Sequence, residues 1–441
     1  METISGPRGA EPAEPALAPL DDTEVRRLRA DFTLLERTVN SVPLVYLDSG
    51  ATSQKPQSVL DTEQHFYETV NAAVHRGAHA LAVEATDVYE QSRETVARFV
   101  GAGPDELVWT SNATEALNLL TYSFSNASAG RGGEAARQFA LGPGDEILVT
   151  ELEHHANLIP WQELAFRTGA TLKYIPVDAS GGLRMDLAGE LVGPRTRIVA
   201  FTHVSNVLGT VADVGALVQL ARGVGALTVL DGCQSVPHLP VDVKALDVDF
   251  MAFSGHKMLG PTGIGALYGR RELLDAMPPF LTGGSMITRV TMENAEYLEA
   301  PTRFEAGTQR ISQAVALAAA VNYLEEVGMG RIAAWEENLG RRLAEGLASI
   351  PGVRQLGPDA GPRIGTATID IPGVHPHDVG QFLDSRGVAV RVGHHCAQPL
   401  HRALGVTAST RASTYLYNTV DDVDVFLGAV ADVRGFFGVD A

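Results

Sequence analysis

The sequence is poor in cysteine, in basic residues and in long hydrophobic runs. Cys233 and Cys396 are the two cysteines in 441 residues, which excludes a disulfide framework and makes a reducing cytoplasm the expected location. Lys and Arg number 34 against 53 Asp and Glu, and the formal charge of −19 argues against nucleic-acid and anionic-membrane partners. The longest aliphatic stretch, residues 314–321, is far shorter than the ~20 residues that span a bilayer.

The first twenty residues also lack the features of a signal peptide. Residues 1–20 are rich in Pro, Ala and Glu and contain neither a basic nor an apolar leader segment, so we expect a disordered tail. The rest of the chain has an ordinary globular composition, with 45% apolar and 20% charged residues. Its length is enough for a large core and two or three domains.

Short apolar runs alternate with helical patterns through the first two thirds of the chain, as at residues 85–100 and 216–224. This alternation predicts an α/β fold, with a mostly parallel sheet covered by helices on both faces. The predicted strands are residues 45–47, 107–110, 146–150, 171–175, 197–202, 227–230 and 250–253.

A different rhythm follows a predicted helix at residues 309–327, and it indicates a smaller α+β domain. The pattern predicts a strand at 364–371, a helix at 377–386 and a strand at 388–391. Residues 123–141 are rich in Gly, Ser and Ala, which predicts a long surface loop. The expected organisation is a helical segment at 21–42 packing with the small domain, a large domain at 43–310, and a linking helix with the small domain at 311–441.

Two predicted strands end in residues that suit pyridoxal phosphate. The run 228–230 is followed by Asp231, and the run 250–253 leads through Ser254, Gly255 and His256 to Lys257. In parallel sheets, ligands bind beyond the carboxyl ends of the strands. A lysine there forms a Schiff base with a carbonyl group, and an aspartate keeps a pyridinium nitrogen protonated. Each residue alone is more often a surface lysine or a helix cap.

The turn at residues 111–114 is a candidate anion site. It joins a predicted strand to a predicted helix, and it is rich in small polar residues, including Thr114. Such a turn presents backbone N–H groups and the positive end of a helix to an anion, although a turn of this kind, taken alone, is more often a simple N-cap. A GxxxxGK[ST] phosphate loop is absent, and residues 260–265 do not match GxGxxG.

Two further clusters are candidates for binding and catalysis. His154, at the end of a predicted strand in the run EHHAN, can stack on a flat cofactor; a metal pair with His155 is the alternative, which the lack of HExxH disfavours. Cys396 lies between Gly, His and Pro residues in a predicted loop, where it can act as a nucleophile. Arg391 and Arg411 can each hold a carboxylate.

Taken together, these segments resemble a SUF-type (group II) cysteine desulfurase, a pyridoxal-phosphate enzyme of the class V aminotransferase superfamily with fold type I. The resemblance covers about residues 23 to 435, and its motifs occur in the family's order. They are residues 47–56 (LDSGATSQKP), 74–77 (VHRG), 153–157 (EHHAN), 203–209 (HVSNVLG), 231–234 (DGCQ), 254–257 (SGHK), 303–308 (RFEAGT), 393–397 (GHHCA) and 411–413 (RAS).

The resemblance implies a role for each matching residue. Lys257 would hold the cofactor and move the Cα proton, Asp231 would bind the pyridine nitrogen, and His154 would stack on the ring. The other implied cofactor contacts are Asn206 and Gln234 near the phenolic oxygen, and Thr114, Ser254, His256 and the partner subunit's Thr308 at the phosphate. A site shared in this way implies a homodimer.

The resemblance also implies the substrate and the sulfur acceptor. Arg411, with Arg391 nearby, would hold the carboxylate of L-cysteine, and Cys396 would take its sulfur as a persulfide and release alanine. The sulfur would pass to a SufE-like or SufU-like protein for iron–sulfur cluster assembly. His377 is the candidate to take over a zinc ligand position in a SufU-like partner; the alternative is that it simply begins a helix.

Other functions remain open at this point. A selenocysteine lyase has the same scaffold, and an aminotransferase or β-lyase would use the same lysine without Cys396. A catalytically inactive scaffold is disfavoured by the presence of Lys257, Asp231 and Cys396 together.

Overall fold

The structure, a computed structural model, describes residues 18–439; most of the predicted disordered tail, residues 1–17, lies outside this range. The strands are β1 (Thr38–Val39), β2 (Val42–Pro43), β3 (Val45–Tyr46), β4 (Leu107–Thr110), β5 (Glu146–Thr150), β6 (Thr171–Ile175), β7 (Thr196–Thr202), β8 (Leu227–Asp231), β9 (Phe250–Ser254), β10 (Gly265–Gly269), β11 (Ile287–Val290), β12 (Ala295–Tyr297), β13 (Arg354–Leu356), β14 (Thr366–Asp370), β15 (Val388–Ala389), β16 (Arg391–Gly393) and β17 (Ser409–Ser413).

The α-helices are α1 (Asp22–Arg29), α2 (Gln57–Thr69), α3 (Ala80–Phe99), α4 (Ala113–Ser128), α5 (Gly133–Ala136), α6 (Ile159–Thr168), α7 (Met185–Leu191), α8 (Val214–Val224), α9 (Val243–Leu246), α10 (Arg271–Ala276), α11 (Ile311–Val327), α12 (Met329–Ala348), α13 (Pro376–Ser385), α14 (Gln398–Ala403) and α15 (Val420–Phe436). Short 3-10 turns occur at Thr33–Glu36, Pro104–Glu106, Arg137–Phe139, His155–Asn157, Gly255–Lys257 and Thr302–Phe304.

A seven-stranded sheet forms the centre of the large domain, in the order β4-β10-β9-β8-β7-β5-β6. The strands from β9 to β6 are mutually parallel, and β10 runs antiparallel to both of its neighbours. Strands buried on both faces are continuous apolar runs, which is why the sequence indicated them clearly. The predicted α/β fold class is confirmed.

Helices cover both faces of this sheet. Leu107 and Trp109 of β4 belong to the apolar cluster that includes side chains of α3, α8 and α11, whereas Val108 belongs to the cluster formed with α4 and α6. Successive side chains of a strand point to opposite faces, so the two clusters are the two sides of one sheet. The edge strand β6 is less completely covered than the other strands of the sheet, since most of its residues are partly exposed.

The C-terminal part of the chain contains a second, antiparallel sheet in the order β13-β14-β17-β16. Helix α12 packs on β13 and β14, and α13 packs on β16 and β17. The N-terminal segment contacts this region, because β3 pairs with β15 and the Arg29 guanidinium lies 3.1 Å from the Asp422 carboxylate in α15. The domain boundaries stay a prediction.

The predicted surface loop at residues 123–141 is wrong. Helix α4 continues to Ser128, and α5 and a 3-10 turn at Arg137–Phe139 follow. Phe124 and Phe139 are buried and stack with their ring centroids 5.1 Å apart. Small polar residues made the segment look unstructured, but tertiary packing of these two rings decides its conformation.

Two smaller differences concern the lengths of elements. In the segment predicted to be helical at 21–42, α1 ends at Arg29, and a 3-10 turn and the β1–β2 hairpin follow. The predicted strand at 388–391 consists of two short strands, β15 and β16, in different sheets. Within residues 18–439, no helix is long and apolar enough to cross a membrane.

Candidate active site

A cavity of about 360 Å³ opens at the carboxyl edge of the parallel strands. Residues at or just after the ends of β5, β7, β8 and β9 line it, as expected for a parallel sheet. Every predicted cofactor and substrate residue except Thr308 lies on its wall, together with Cys396. The lining includes Thr114, His154, Asn206, Asp231, Gln234, Ser254, His256, Lys257, Arg391, Cys396 and Arg411.

The predicted cofactor lysine and its acidic counterpart are brought to this wall by neighbouring strands. Asp231 is the last residue of β8, and Lys257 ends the 3-10 turn that follows β9. The Asp231 side chain is held in place because its Oδ1 accepts a hydrogen bond of 2.9 Å from the backbone N–H of Cys233. Gln234 donates from Nε2 to the carbonyl oxygen of Gly50 at 2.8 Å, which joins this wall to the segment after β3.

His154 is held as a neutral imidazole. Its Nδ1 accepts a hydrogen bond of 3.0 Å from the backbone N–H of Ala156. Burial and the nearby Lys257 lower the pKa of His154 to about 4. A neutral, fixed ring at the cavity wall is suited to stacking on a flat group rather than to forming an ion pair.

The position of His154 depends on a buried carboxyl group next to it. Glu153 accepts hydrogen bonds from the Thr150 hydroxyl (2.5 Å), the Asn157 amide (2.6 Å) and the backbone N–H of Thr202 (3.0 Å). Burial raises the pKa of Glu153 to about 8. These bonds join the turn that carries His154 to β5 and β7.

A cradle of hydroxyl and N–H groups lies at the N-terminus of α4. Asn112 caps this helix by accepting from the backbone N–H of Glu115 at 3.0 Å. The Ser254 hydroxyl accepts from the backbone N–H of Ala113 at 2.9 Å, so its own proton can point toward the cavity, which Thr114 and His256 also line. Free donors and a helix N-terminus together favour an anion.

Arg411 presents a buried guanidinium to the cavity. Its Nη1 donates to the carbonyl oxygen of Asn206 at 2.7 Å, and its Nη2 donates to Asp48 Oδ1 at 3.3 Å. Its Nε has no hydrogen-bond partner among the described residues. Arg391 is more exposed, and its Nη1 lies 3.9 Å from Asp48 Oδ2. An added side chain at Gly50 would meet Arg411 Cζ at 3.3 Å, so the glycine leaves room for the guanidinium.

The two cysteines differ in accessibility. Cys396 is exposed and lies on the segment between β16 and α14, at the cavity. Cys233 is buried, and burial raises the pKa of its thiol far above the usual range. A thiol that stays protonated is a poor nucleophile, so the accessible thiol is the one suited to attack.

Two predicted functional residues lie outside the cavity. Thr308 is exposed in the protomer and is absent from the cavity lining. His377 is also exposed, in the first turn of α13, where its backbone N–H donates to His375 Nδ1 at 3.2 Å. The roles predicted for Thr308 and His377 stay predictions.

Asp48 and Glu153 were quoted in the sequence motifs without a role, and His155 was considered only as part of a metal pair. Asp48 and His155 act through contacts between distant parts of the chain, which a local pattern does not reveal, whereas Glu153 bonds both to its own turn and to β7. Asp48 pairs with Arg411, and His155 contacts the segment that carries Cys396. The sequence did contain one signal for Glu153 and His155, because both are adjacent to the predicted cofactor residue His154.

The sequence model of the class-V aminotransferase family matches residues 45–426 of this chain. The chain belongs to this family. It is 55% identical over 96% of its length to a probable cysteine desulfurase from Mycobacterium leprae, and it covers 99% of that protein. It is 45% identical to a cysteine desulfurase from Haloferax volcanii, over 94% of this chain and 98% of the other.

Solved structures give the same relationship. The apo cysteine desulfurase from Thermococcus onnurineus superimposes with a TM-score of 0.87 at 38% identity, covering 95% of this chain and 100% of that one. The Escherichia coli cysteine desulfurase CsdA, in its S-sulfonic acid form, gives 0.83 at 38% identity over 93% and 98% of the two chains. The predicted family and the predicted cysteine desulfurase function are confirmed; the assignment to the SUF type stays a prediction.

Proposed function

We propose that the protein uses pyridoxal phosphate to convert L-cysteine to L-alanine and leaves the sulfur on Cys396. One observation carries this proposal. A lysine, an aspartate, a neutral histidine, a buried arginine and an exposed cysteine converge on one cavity at the carboxyl edge of a parallel sheet. Each of these groups matches one requirement of cysteine desulfuration.

The donor set of the cavity fits pyridoxal phosphate. Lys257 would hold the aldehyde carbon, Asp231 would keep the pyridine nitrogen protonated, and the neutral ring of His154 would stack on the cofactor. Asn206 and Gln234 would contact the phenolic oxygen. The cradle at the N-terminus of α4 would hold the phosphate through Thr114, Ser254 and His256, completed by Thr308 from a second copy in a homodimer. When bound, pyridoxal phosphate supplies an electron sink for the substrate carbon skeleton.

Arg411 orients the substrate. Its Nη1 and Nη2 each donate one hydrogen bond, to Asn206 and to Asp48, and Nε has no partner among the described residues, so three of the five N–H groups remain for a ligand. A buried guanidinium held in this way is preorganised for a carboxylate, and Arg391 adds positive charge at the more exposed side. The amine of Lys257, which lines the same cavity, would move the proton at the substrate Cα.

Cys396 accepts the sulfur. Its thiolate attacks the substrate sulfur, so that a sulfur–sulfur bond forms while the bond between Cβ and sulfur of the substrate breaks. The electron pair of the broken bond stays on the carbon skeleton, which takes up a proton and leaves as alanine. Electrons and atoms balance without an external oxidant, and the extra sulfur remains on Cys396.

The decisive experiment measures alanine released from L-cysteine by the purified protein, together with its visible absorption. Borohydride reduction followed by peptide mapping is expected to place the cofactor on Lys257. Recovery of the label on another lysine would reject that assignment. Parallel assays with L-selenocysteine separate this function from a selenocysteine lyase, which would release alanine from the selenium substrate alone.

A sulfur bound to Cys396 is useful once another protein collects it, and we propose a SufU-like or SufE-like acceptor in cytoplasmic iron–sulfur cluster assembly. His377 supports the zinc-containing SufU-like alternative, because its imidazole is exposed on the surface and imidazole is a good zinc ligand. His377→Ala is expected to keep basal alanine formation and to lose stimulation by a zinc-loaded acceptor. Equal stimulation of variant and parent would remove His377 from the transfer step.

A further inference from the structure

The segment that carries Cys396 has an unusual backbone conformation. His395 and Cys396 have φ angles of 49° and 56°, in the left-handed region that residues with a side chain rarely adopt. Two such residues in succession persist only where the surrounding structure holds them. The contacts of this segment therefore determine where the thiol points.

Three hydrogen bonds tie the segment to the walls of the cavity. Asn206 Nδ2 donates to the carbonyl oxygen of His395 at 2.6 Å. The backbone N–H of His155 donates to the carbonyl oxygen of Cys396 at 2.7 Å. The backbone N–H of Gln398 donates to Nε2 of the His155 ring at 3.1 Å. One residue, His155, thus holds the chain at the carbonyl group of Cys396 and again two residues later, at Gln398.

The buried ring of His395 anchors the other side of the segment. Its Nε2 lies 2.9 Å from the Ser409 hydroxyl in β17, and that hydroxyl is also 2.8 Å from Nε2 of His401. This anchor fixes the segment before the thiol to the small domain. The segment after the thiol reaches α14 through Gln398, whose backbone N–H bonds to the His155 ring.

We propose that His155 is a positioning residue, whose ring holds the Cys396 segment against the cavity so that the thiol meets the substrate sulfur. This inference rests on the proposed role of Cys396 as the sulfur acceptor. The backbone bond of His155 is independent of its side chain, whereas the bond from Gln398 requires an unprotonated ring nitrogen as acceptor. A substitution of His155 therefore removes the hydrogen bond between its ring and Gln398 and keeps the backbone bond to Cys396.

The neutral form of the ring is favoured at this place. Partial burial and the neighbouring His394 lower the pKa of His155. The His154 ring lies on the other side, with ring centroids 6.4 Å apart. His154 faces the cofactor cavity and His155 faces the Cys396 segment, so adjacent histidines serve two different parts of the site.

The test compares His155→Phe with His155→Gln in the cofactor-loaded protein. Phenylalanine keeps the ring volume but removes the acceptor, whereas the glutamine amide oxygen can replace Nε2 as acceptor. For His155→Phe we expect the amide of Gln398 to exchange with deuterium up to about ten-fold faster. We expect kcat for alanine formation to fall about 10- to 100-fold, with KM for L-cysteine little changed. His155→Gln is expected to restore both properties to within a few-fold of the parent.

Two results would overturn the inference. One is a His155→Phe variant in which the amides of residues 393–399 exchange with deuterium at the rate of the parent and kcat equals that of the parent. The other is an equal loss in the Phe and Gln variants, which would indicate a structural role for the imidazole as a whole. Failure of the proposed function would look different, because the parent protein itself would then form no alanine. The hydrogen-exchange measurement needs no turnover and tests the position of the segment in either case.

Discussion

At the scale of single residues, Asp48 controls how positive charge is presented to the cavity. It lies between the two arginines of the cavity, 3.3 Å from Arg411 Nη2 and 3.9 Å from Arg391 Nη1. Burial raises the pKa of Asp48, and the two guanidinium groups oppose that rise. The carboxylate therefore holds one terminal nitrogen of Arg411, and other donors of the guanidinium stay available to a ligand in the cavity.

Replacing either arginine by lysine separates their contributions. Arg411→Lys keeps the charge but removes the planar fork, so we expect kcat/KM for L-cysteine to fall about 10- to 100-fold. Arg391→Lys is the matched control, and a loss of less than about ten-fold is expected because its side chain is 44% exposed and screened by water. Unchanged visible absorption would show that the cofactor is still bound. A larger loss for Arg391→Lys would assign the substrate carboxylate to Arg391.

The difference in accessibility between the two cysteines gives a second prediction. Cys396→Ser is expected to abolish alanine formation from L-cysteine and the gain of sulfur on the protein, while Cys233→Ser keeps both. The physical reason is that burial holds the Cys233 thiol protonated. Mass spectrometry after one turnover locates the added sulfur. Full alanine production by Cys396→Ser would show that Cys396 is not the nucleophile.

At the scale of elements, six of the seven strands of the large sheet were predicted from sequence to within one residue at each end, whereas the buried strands β10 and β17 were not predicted. The predicted strands at 107–110, 146–150 and 171–175 coincide with β4, β5 and β6. Runs of apolar and β-branched residues between turns give a clear local signal. Residues 123–141 gave the opposite result, because burial of Phe124 and Phe139 depends on contacts that composition does not show.

The difference between local sequence signals and long-range contacts also explains which parts of the site could be predicted from the sequence. Asp231 and Lys257 follow strands directly, so the topology of a parallel sheet brings them together. Asp48 and Arg411 are 363 positions apart in the chain, and the bond between Gln398 and His155 spans 243 positions. Those contacts follow from how the small domain packs on the large one, which no local pattern encodes.

The corrected segment 123–141 makes a prediction about stability. Phe139→Ala removes a ring that is 1% exposed and stacked on Phe124, so we expect the free energy of unfolding to fall by about 3–5 kcal/mol. Gln138→Ala is the matched control, since this exposed neighbour should change stability by about 0.5 kcal/mol or less. Chemical denaturation measures both. Equal, small effects would mean that the segment is a surface loop after all.

At the scale of the whole molecule, burial shifts the pKa values of the side chains around the cavity. It lowers the pKa of His154, His203 and His256 to about 4, and the pKa of His395 to about 2. Burial acts in the opposite direction on Glu153, whose pKa rises to about 8. The interior at the junction of the two domains therefore favours neutral side chains over charged ones.

These shifts determine the sign of the pH dependence of stability. In the unfolded chain a histidine takes up a proton below a pKa of about 6.5, whereas the four buried histidines stay neutral until about pH 4 or lower. Between these values the unfolded chain binds more protons than the folded one, so stability falls as the pH falls. The carboxyl groups of Glu153, Asp48 and Glu336, whose pKa values burial raises, contribute with the opposite sign, because their folded forms keep a proton that the unfolded chain releases, but they are three groups against four.

We therefore expect the Tm of the cofactor-loaded protein to be lower at about pH 5 than at about pH 7, at constant ionic strength. His203→Gln is the informative variant, because His203 is buried and burial alone lowers its pKa. Glutamine does not titrate, so the difference in Tm between the two pH values should be smaller in the variant than in the parent. A parent Tm that is constant or higher at the acidic pH would show that the buried carboxyl groups, rather than the histidines, control the proton balance of the fold.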